Sequence, residues 1–128
     1  MNTTIEQEFI KRYINKGYQE RLLLELSSAK RRTKALSRFS HNAEDILNKS
    51  IIKKSIVNLA DIKENDKTVY VISWDENDGT QTSFADAIKY CEAAYTSVVL
   101  IGKTFALIKE ETEGGTPKIF YLKSNELH

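Results

Sequence analysis

Apolar positions change their rhythm near the middle of this chain: before it they recur at helical spacing, after it they run together. Ile5, Phe9, Ile10, Tyr13 and Ile14 share one helical face, and Thr3 followed by Glu6 has the form of a capping box. Gly17 suits the position just past that helix. From Tyr18 a second stripe, Tyr18, Leu22, Leu26, Ala29, Thr33 and Leu36, stays on one face for about five turns and predicts a single helix reaching Phe39. A break at Ser27 and Ser28 is disfavoured, because Lys30, Arg31 and Arg32 would then fall in a first turn, where the helix dipole repels cations. Leu22, Leu23, Leu24 and Leu26 make the first half of this helix apolar on more than one side, as expected of a sandwiched element. Asn42, with Glu44 and Asp45 behind it, then predicts a third helix carrying Ile46, Leu47 and Ile51.

Past the polar DIKEND connector, TVYVISW is β-branched and aromatic with little polar interruption, which predicts a strand buried on both faces. DENDG reads as a turn. Ser83 with Asp86 resembles a second capping box, opening a short helix whose apolar face is Phe84, Ala87, Ile88, Cys91 and Tyr95. SVVLI, TFALIKE and KIFYLK are further strands, the first two joined at Gly102-Lys103 by a hairpin of the glycine-first type. The predicted order is αααβαβββ. This is an α+β fold: an N-terminal three-helix segment packed on a mainly antiparallel sheet of about four strands, with one further helix.

At 128 residues the chain is the usual size of one domain, and the expectation is a single domain over 1–128. MNTTIEQEF shows no basic segment followed by an apolar run, and no stretch is long enough to cross a bilayer, so a cytoplasmic location is expected. The lone Cys91 agrees with a reducing compartment. Richness in Lys, Asn and Ile points to an AT-rich bacterial or phage genome. Net charge is +1 but unevenly spread: Met1 to Ala60 carries +6 and Asp61 to His128 carries −5. Such polarity fits either a bipolar surface or two halves that face each other.

Catalytic and cofactor motifs fail on inspection. IGKT ends like a phosphate-binding loop, but Ser97 stands where the motif needs glycine and both flanks read as strands. DENDG alternates Asp75, Asn77 and Gly79 like a calcium loop, yet Thr80 and Asp86 occupy the positions that demand Gly and Glu. His41 and His128 are the only histidines, too few for a zinc site of the usual kind, and no metal or other cofactor is expected. Cys91 lies on an apolar stripe, where a thiol is a small hydrophobe. His41, near Arg38, Asn42, Glu44 and Asp45, could serve as a general base, or simply face solvent at a helix junction.

Two charged regions remain. Lys30, Arg31, Lys34 and Arg38 lie opposite the apolar stripe, in a stretch from Ala29 to Asn42 with no acid. They read first as a solvated helix face, and otherwise as a grip on protein or nucleic-acid phosphates. A pI of 7.8 falls short of the strongly basic values of nucleic-acid modules. The acids Asp61, Glu64, Asp66, Asp75, Glu76 and Asp78 flank the first strand in loops at its two ends, where they could engage a basic protein surface. Trp74, beside the second group, reads as an interface anchor or as a core residue ending a buried strand.

VYVISWDENDGTQTSFADAIKYC followed by SVVLIGKTFALIKEE resembles a set of small uncharacterised bacterial proteins with a strand, an acidic DG turn, a short helix and a hairpin. In size, helical cap and antiparallel sheet the whole chain is similar to the immunity proteins of bacterial contact-dependent growth inhibition. That resemblance is one of architecture and carries over no residue. It implies a non-catalytic protein that binds and neutralises a cognate toxin, for instance a nuclease. The expected contact residues are Asp61, Glu64, Asp66, Trp74, Asp75, Glu76 and Asp78. The alternative is a nucleic-acid-associated regulator or anti-defence factor using Lys30, Arg31, Lys34 and Arg38; a third reading is a nuclease built around His41.

Overall fold

The computed structural model describes residues 2–49, 58–111, 115 and 117–123, together with the backbone of 52–56. Helices α1 (Thr3–Tyr13), α2 (Lys16–Ser27) and α3 (Arg32–Ser40) precede strand β1 (Ile52–Ile56). Then come β2 (Thr68–Ser73), β3 (Gln81–Ser83), α4 (Phe84–Ala93), β4 (Val98–Ile101), β5 (Phe105–Lys109) and β6 (Ile119–Lys123). The strands form one sheet in the order β1-β6-β5-β4-β2-β3, and every neighbouring pair is antiparallel. The fold is α+β.

Both faces of the four central strands are covered, which is why β2, β4, β5 and β6 read as unbroken apolar runs. Tyr70, Ile72, Val99, Ile101, Ala106, Ile108, Phe120 and Leu122 pack against Phe9, Ile10, Leu22, Leu26, Leu36 and Phe39 from α1, α2 and α3. Residues of opposite parity, among them Val69, Val71, Val98, Leu100, Phe105 and Leu107, pack against Ala87 and Cys91 of α4 and against Leu59 and Ile62. Lys109 interrupts this second core in an ordered way. Buried behind α4, its Nζ donates to the carbonyls of Cys91 and Ala94 at 2.6 Å each, placing a cation at the helix C-terminus.

The four expected strands are present, and two more flank them. Gln81–Ser83, outside the expected strands, pairs with β2 through a tight connection in which Gly79, at φ 80°, and Thr80 both face Val71. That is a glycine bulge, the reason DENDG ends in glycine. The second addition replaces most of the expected third helix. Asn42 adopts a left-handed conformation (φ 56°) without capping through its side chain, and only a 3-10 turn, Ala43–Ile46, follows. The next residues return to α1: Asn15 N–H donates to Ile46 O at 2.9 Å and Asn48 N–H to Tyr13 O at 2.7 Å. Ile51 lies outside the described residues, and Ile52–Ile56 is an edge strand paired with β6.

The long second helix is likewise two helices. α2 ends at Ser27 and α3 starts at Arg32, so Ser27 and Ser28 do mark a break, and Ala29 and Thr33 are exposed instead of lying on a stripe. α1 is capped by Asn2, whose Oδ1 accepts from Ile5 N–H at 3.2 Å, in place of Thr3; Glu6 turns inward and forms no capping box. Gly17 falls inside α2 rather than after α1. The Ser83 cap is present, its Oγ accepting from Asp86 N–H at 3.1 Å. Tyr95 lies beyond α4 and is 80% exposed, not part of its apolar face. At the β4–β5 hairpin Gly102 is itself paired, its N–H donating to Phe105 O at 2.9 Å, and it lacks the positive φ of a glycine-first turn.

Candidate protein-interaction surface

Arg32 explains the helix break and fixes the DENDG loop. Its Nε and Nη2 donate to Asp78 at 2.6 and 2.9 Å, and its Nη1 and Nη2 donate to Glu6 at 3.0 and 2.7 Å. Nη1 also reaches Leu26 O, near the open end of α2, at 2.9 Å, so all five guanidinium N–H groups are used. Repulsion from the α3 dipole is outweighed by two carboxylates that sequence proximity could not reveal. Burial alone would lower the Arg32 pKa, but the hydrogen bonds from Asp78 and Glu6 outweigh it and raise the value. Tyr70 Oη donates to Glu6 at 2.6 Å and accepts from Asn2 N–H at 3.0 Å; burial, then the Glu6 bond, push its pKa up to about 12.

The acids divide by how the fold engages them. Asp78 also accepts from Ser73 N–H at 3.0 Å. Asp75 accepts from Tyr90 Oη at 2.6 Å, Asn77 N–H at 2.9 Å and Ser73 Oγ at 3.0 Å. Burial would raise the Asp75 carboxyl, but these bonds together hold it below its ordinary value. At the other end of β2, Glu64 takes Tyr121 Oη and pairs with Lys123 Nζ at 2.9 Å, while Asp66 accepts from Lys103 N–H at 2.7 Å. Asp61 and Glu76 are exposed, with no side-chain hydrogen bond or ion pair among the described residues. The two acidic groups therefore sit at opposite ends of the sheet and form no continuous patch.

Trp74 stands at the end of the sheet that holds Asp75 and Glu76. It lies outside the core at 39% exposed, yet its indole is fixed: Nε1 donates to Ser97 Oγ at 2.9 Å. Ser97 Oγ lies 2.9 Å from Ser40 Oγ, and Ser40 Oγ donates to Leu36 O at 3.1 Å, a buried relay running from the indole into α3. Ser73 pairs with Val98, so the segment before β4 runs beside Trp74 and carries Tyr95. Two exposed aromatics thus flank one strand end, with exposed Glu76 and Glu92 on the adjoining loop and helix. Sequence reasoning found Trp74 and Glu76 but not Tyr95, Ser97 or Ser40; the only available signal was a tyrosine at the end of a helical pattern.

The basic stripe is smaller than its sequence suggests. Lys30, Arg31 and Lys34 are exposed, but Arg38 donates to both oxygens of Glu25 at 2.8 and 2.9 Å. Those hydrogen bonds hold the Glu25 carboxyl below its ordinary pKa. Arg38 and Arg21 also lie over Tyr18, 5.9 and 5.6 Å from its ring centre. His41, half exposed, has Nε2 at 3.2 Å from Glu111, an acid distant in the chain. Cys91 is fully buried, and burial pushes its thiol up to about 11. Among the described residues no three His, Cys, Asp or Glu side chains gather as a metal site, and no helix is long and apolar enough to cross a membrane. No protein family, no curated protein and no solved structure matches the chain.

Proposed function

We propose that this chain is a non-catalytic protein-binding protein of the toxin-immunity or inhibitor type. It acts in the cytoplasm, and its contact surface is the sheet end bearing Trp74 and Tyr95. The observation that carries this reading is an exposed indole held in one orientation by a buried serine relay, next to an 80% exposed tyrosine. Interfaces draw most of their energy from such anchors, and a side chain already fixed before binding loses less entropy on contact. Glu76 and Glu92 add negative charge around the pair, suiting a toxin with a cationic surface such as a nucleic-acid cleft.

The nucleic-acid reading keeps only Lys30, Arg31 and Lys34 as exposed cations, since Arg38 is already engaged by Glu25. One comparison separates the two. The toxin candidate is the product of the reading frame next to the gene, tested for binding and for relief of growth inhibition. Trp74→Ala with Tyr95→Ala is expected to weaken that binding at least about 30-fold and to abolish protection. Retained protection by the folded double variant removes the proposed surface. Steeply salt-dependent binding to generic RNA or duplex DNA, lost on changing Lys30, Arg31 and Lys34 to Glu, replaces the reading with its rival.

A further inference from the structure

Between α1 and the sheet end where β2 begins lies a cavity of about 390 Å³, bounded on its far side by the β4–β5 hairpin. Its size falls within the range of small-molecule sites, about 300–1,000 Å³. The buried part of the lining is apolar, with Phe9, Val69 and Ile101 beside the half-buried Ile5. The exposed part is charged. Arg12 Nη1 donates to Lys103 O at 2.6 Å, strapping the helix to the hairpin and holding the Arg12 guanidinium beside it. Glu8 is the single acid among the lining residues, solvent-facing and 4.0 Å from Arg12, while Asp66 stands beside the hairpin, accepting from Lys103 N–H at 2.7 Å.

Tyr13 supplies an independent sign. It lines the same cavity, and its hydroxyl, beside Arg12, is the one buried side-chain polar atom among the described residues without a hydrogen-bond partner. Buried hydroxyls are rarely left unpaired, because an unmade hydrogen bond is costly. A ligand oxygen held by Arg12 and reaching this hydroxyl would complete it.

We propose that this cavity binds a small amphipathic monocarboxylate, its apolar body on Ile5, Phe9 and Ile101 and its carboxylate toward Arg12, Lys103 and the Tyr13 hydroxyl. Arg12 and Lys103 suit a carboxylate, and the floor suits an apolar body, which inorganic phosphate lacks. The site lies on the α1 side of the sheet, at the opposite end from Trp74, and is independent of the interaction surface.

The test titrates the full chain with hexanoate, hexanol and inorganic phosphate, following backbone amide resonances. Hexanoate is expected to shift resonances at Ile5–Arg12 and Ile101–Lys103 and to bind at least about tenfold more tightly than hexanol or phosphate. Lys103→Gln should weaken hexanoate binding about tenfold and leave hexanol unchanged. Tyr13→Phe should keep or raise the melting temperature while weakening hexanoate, a combination that a purely structural tyrosine would not give. The proposal is overturned if hexanoate does not bind, if hexanol or phosphate binds as tightly, or if the shifted resonances lie away from the cavity.

Discussion

Arg32 and Asp78, separated by 46 positions, are joined by paired hydrogen bonds of 2.6 and 2.9 Å that tie the start of α3 to the loop after β2. The same guanidinium holds Glu6 of α1, so one side chain locks three segments together. Replacing one member of such a buried set strands the charges of the others. Arg32→Met is therefore expected to destabilise the fold by about 3–5 kcal/mol. Asp78→Asn should cost less, because Glu6 remains. Urea denaturation of both variants measures the order, and equal losses would show that Glu6 alone does not compensate for the loss of Asp78.

Alkaline pH addresses the same cluster from another side. Tyr70 and Tyr90 have folded pKa values pushed up to about 12 by burial and by the carboxylates Glu6 and Asp75. An unfolded tyrosine ionises near 10. A group whose folded pKa is raised gives its full stabilisation below the unfolded value and loses it as pH rises through the folded value. Stability should begin to fall near pH 9, where an unfolded thiol ionises but buried Cys91 does not until about 11, and fall more steeply between about pH 10 and 12, the part that Tyr70→Phe should flatten. Chemical denaturation across this range, with tyrosinate absorbance recorded in parallel, provides the check.

Gly102 is required for space rather than for backbone conformation. A Cβ there would strike the Phe105 ring and come within 2.9 Å of Asp66 Oδ2, which is already held by Lys103 N–H. Gly102→Ala is expected to lower stability by about 1–3 kcal/mol through forced displacement of a core ring. Gly115, with nothing within 4 Å of its Cβ position, serves as the control, and Gly115→Ala should change stability by less than about 0.5 kcal/mol.

Trp74 is the only tryptophan, so intrinsic fluorescence reports on one place in the molecule. Ser97→Ala removes the acceptor of its indole N–H and the partner of Ser40. The emission should shift to the red and its anisotropy fall, with a stability loss of about 1 kcal/mol. An unchanged spectrum would mean that the indole is held by packing and not by the relay.

The second-half strands were legible because burial on both faces leaves Val, Ile, Leu and Phe little alternative, and α1 was legible because Phe9, Ile10 and Tyr13 do face the core. The α2–α3 break was not. Cations in a first turn are locally unfavourable, but Glu6 and Asp78, 26 and 46 positions from Arg32, reverse the sign. β1 was hidden for the same reason: IKKSI is short and carries two lysines, and its strand character comes from β6. At the candidate surface the acids could be counted from sequence, but which of them the fold engages depends on Tyr90, Tyr121 and Lys103, all distant in the chain.

Pairing of β1 with β6 sets a timetable for folding. Ile52 lies opposite Lys123, and Ile56 lies opposite Ile119, so this edge cannot close during synthesis until about seventy further residues have emerged. Meanwhile α1, α2 and α3 leave the ribosome well before the sheet face that will cover Phe9, Leu22 and Phe39. Their apolar sides stay open to water or to chaperones until the sheet face forms, and the β1 edge waits for β6.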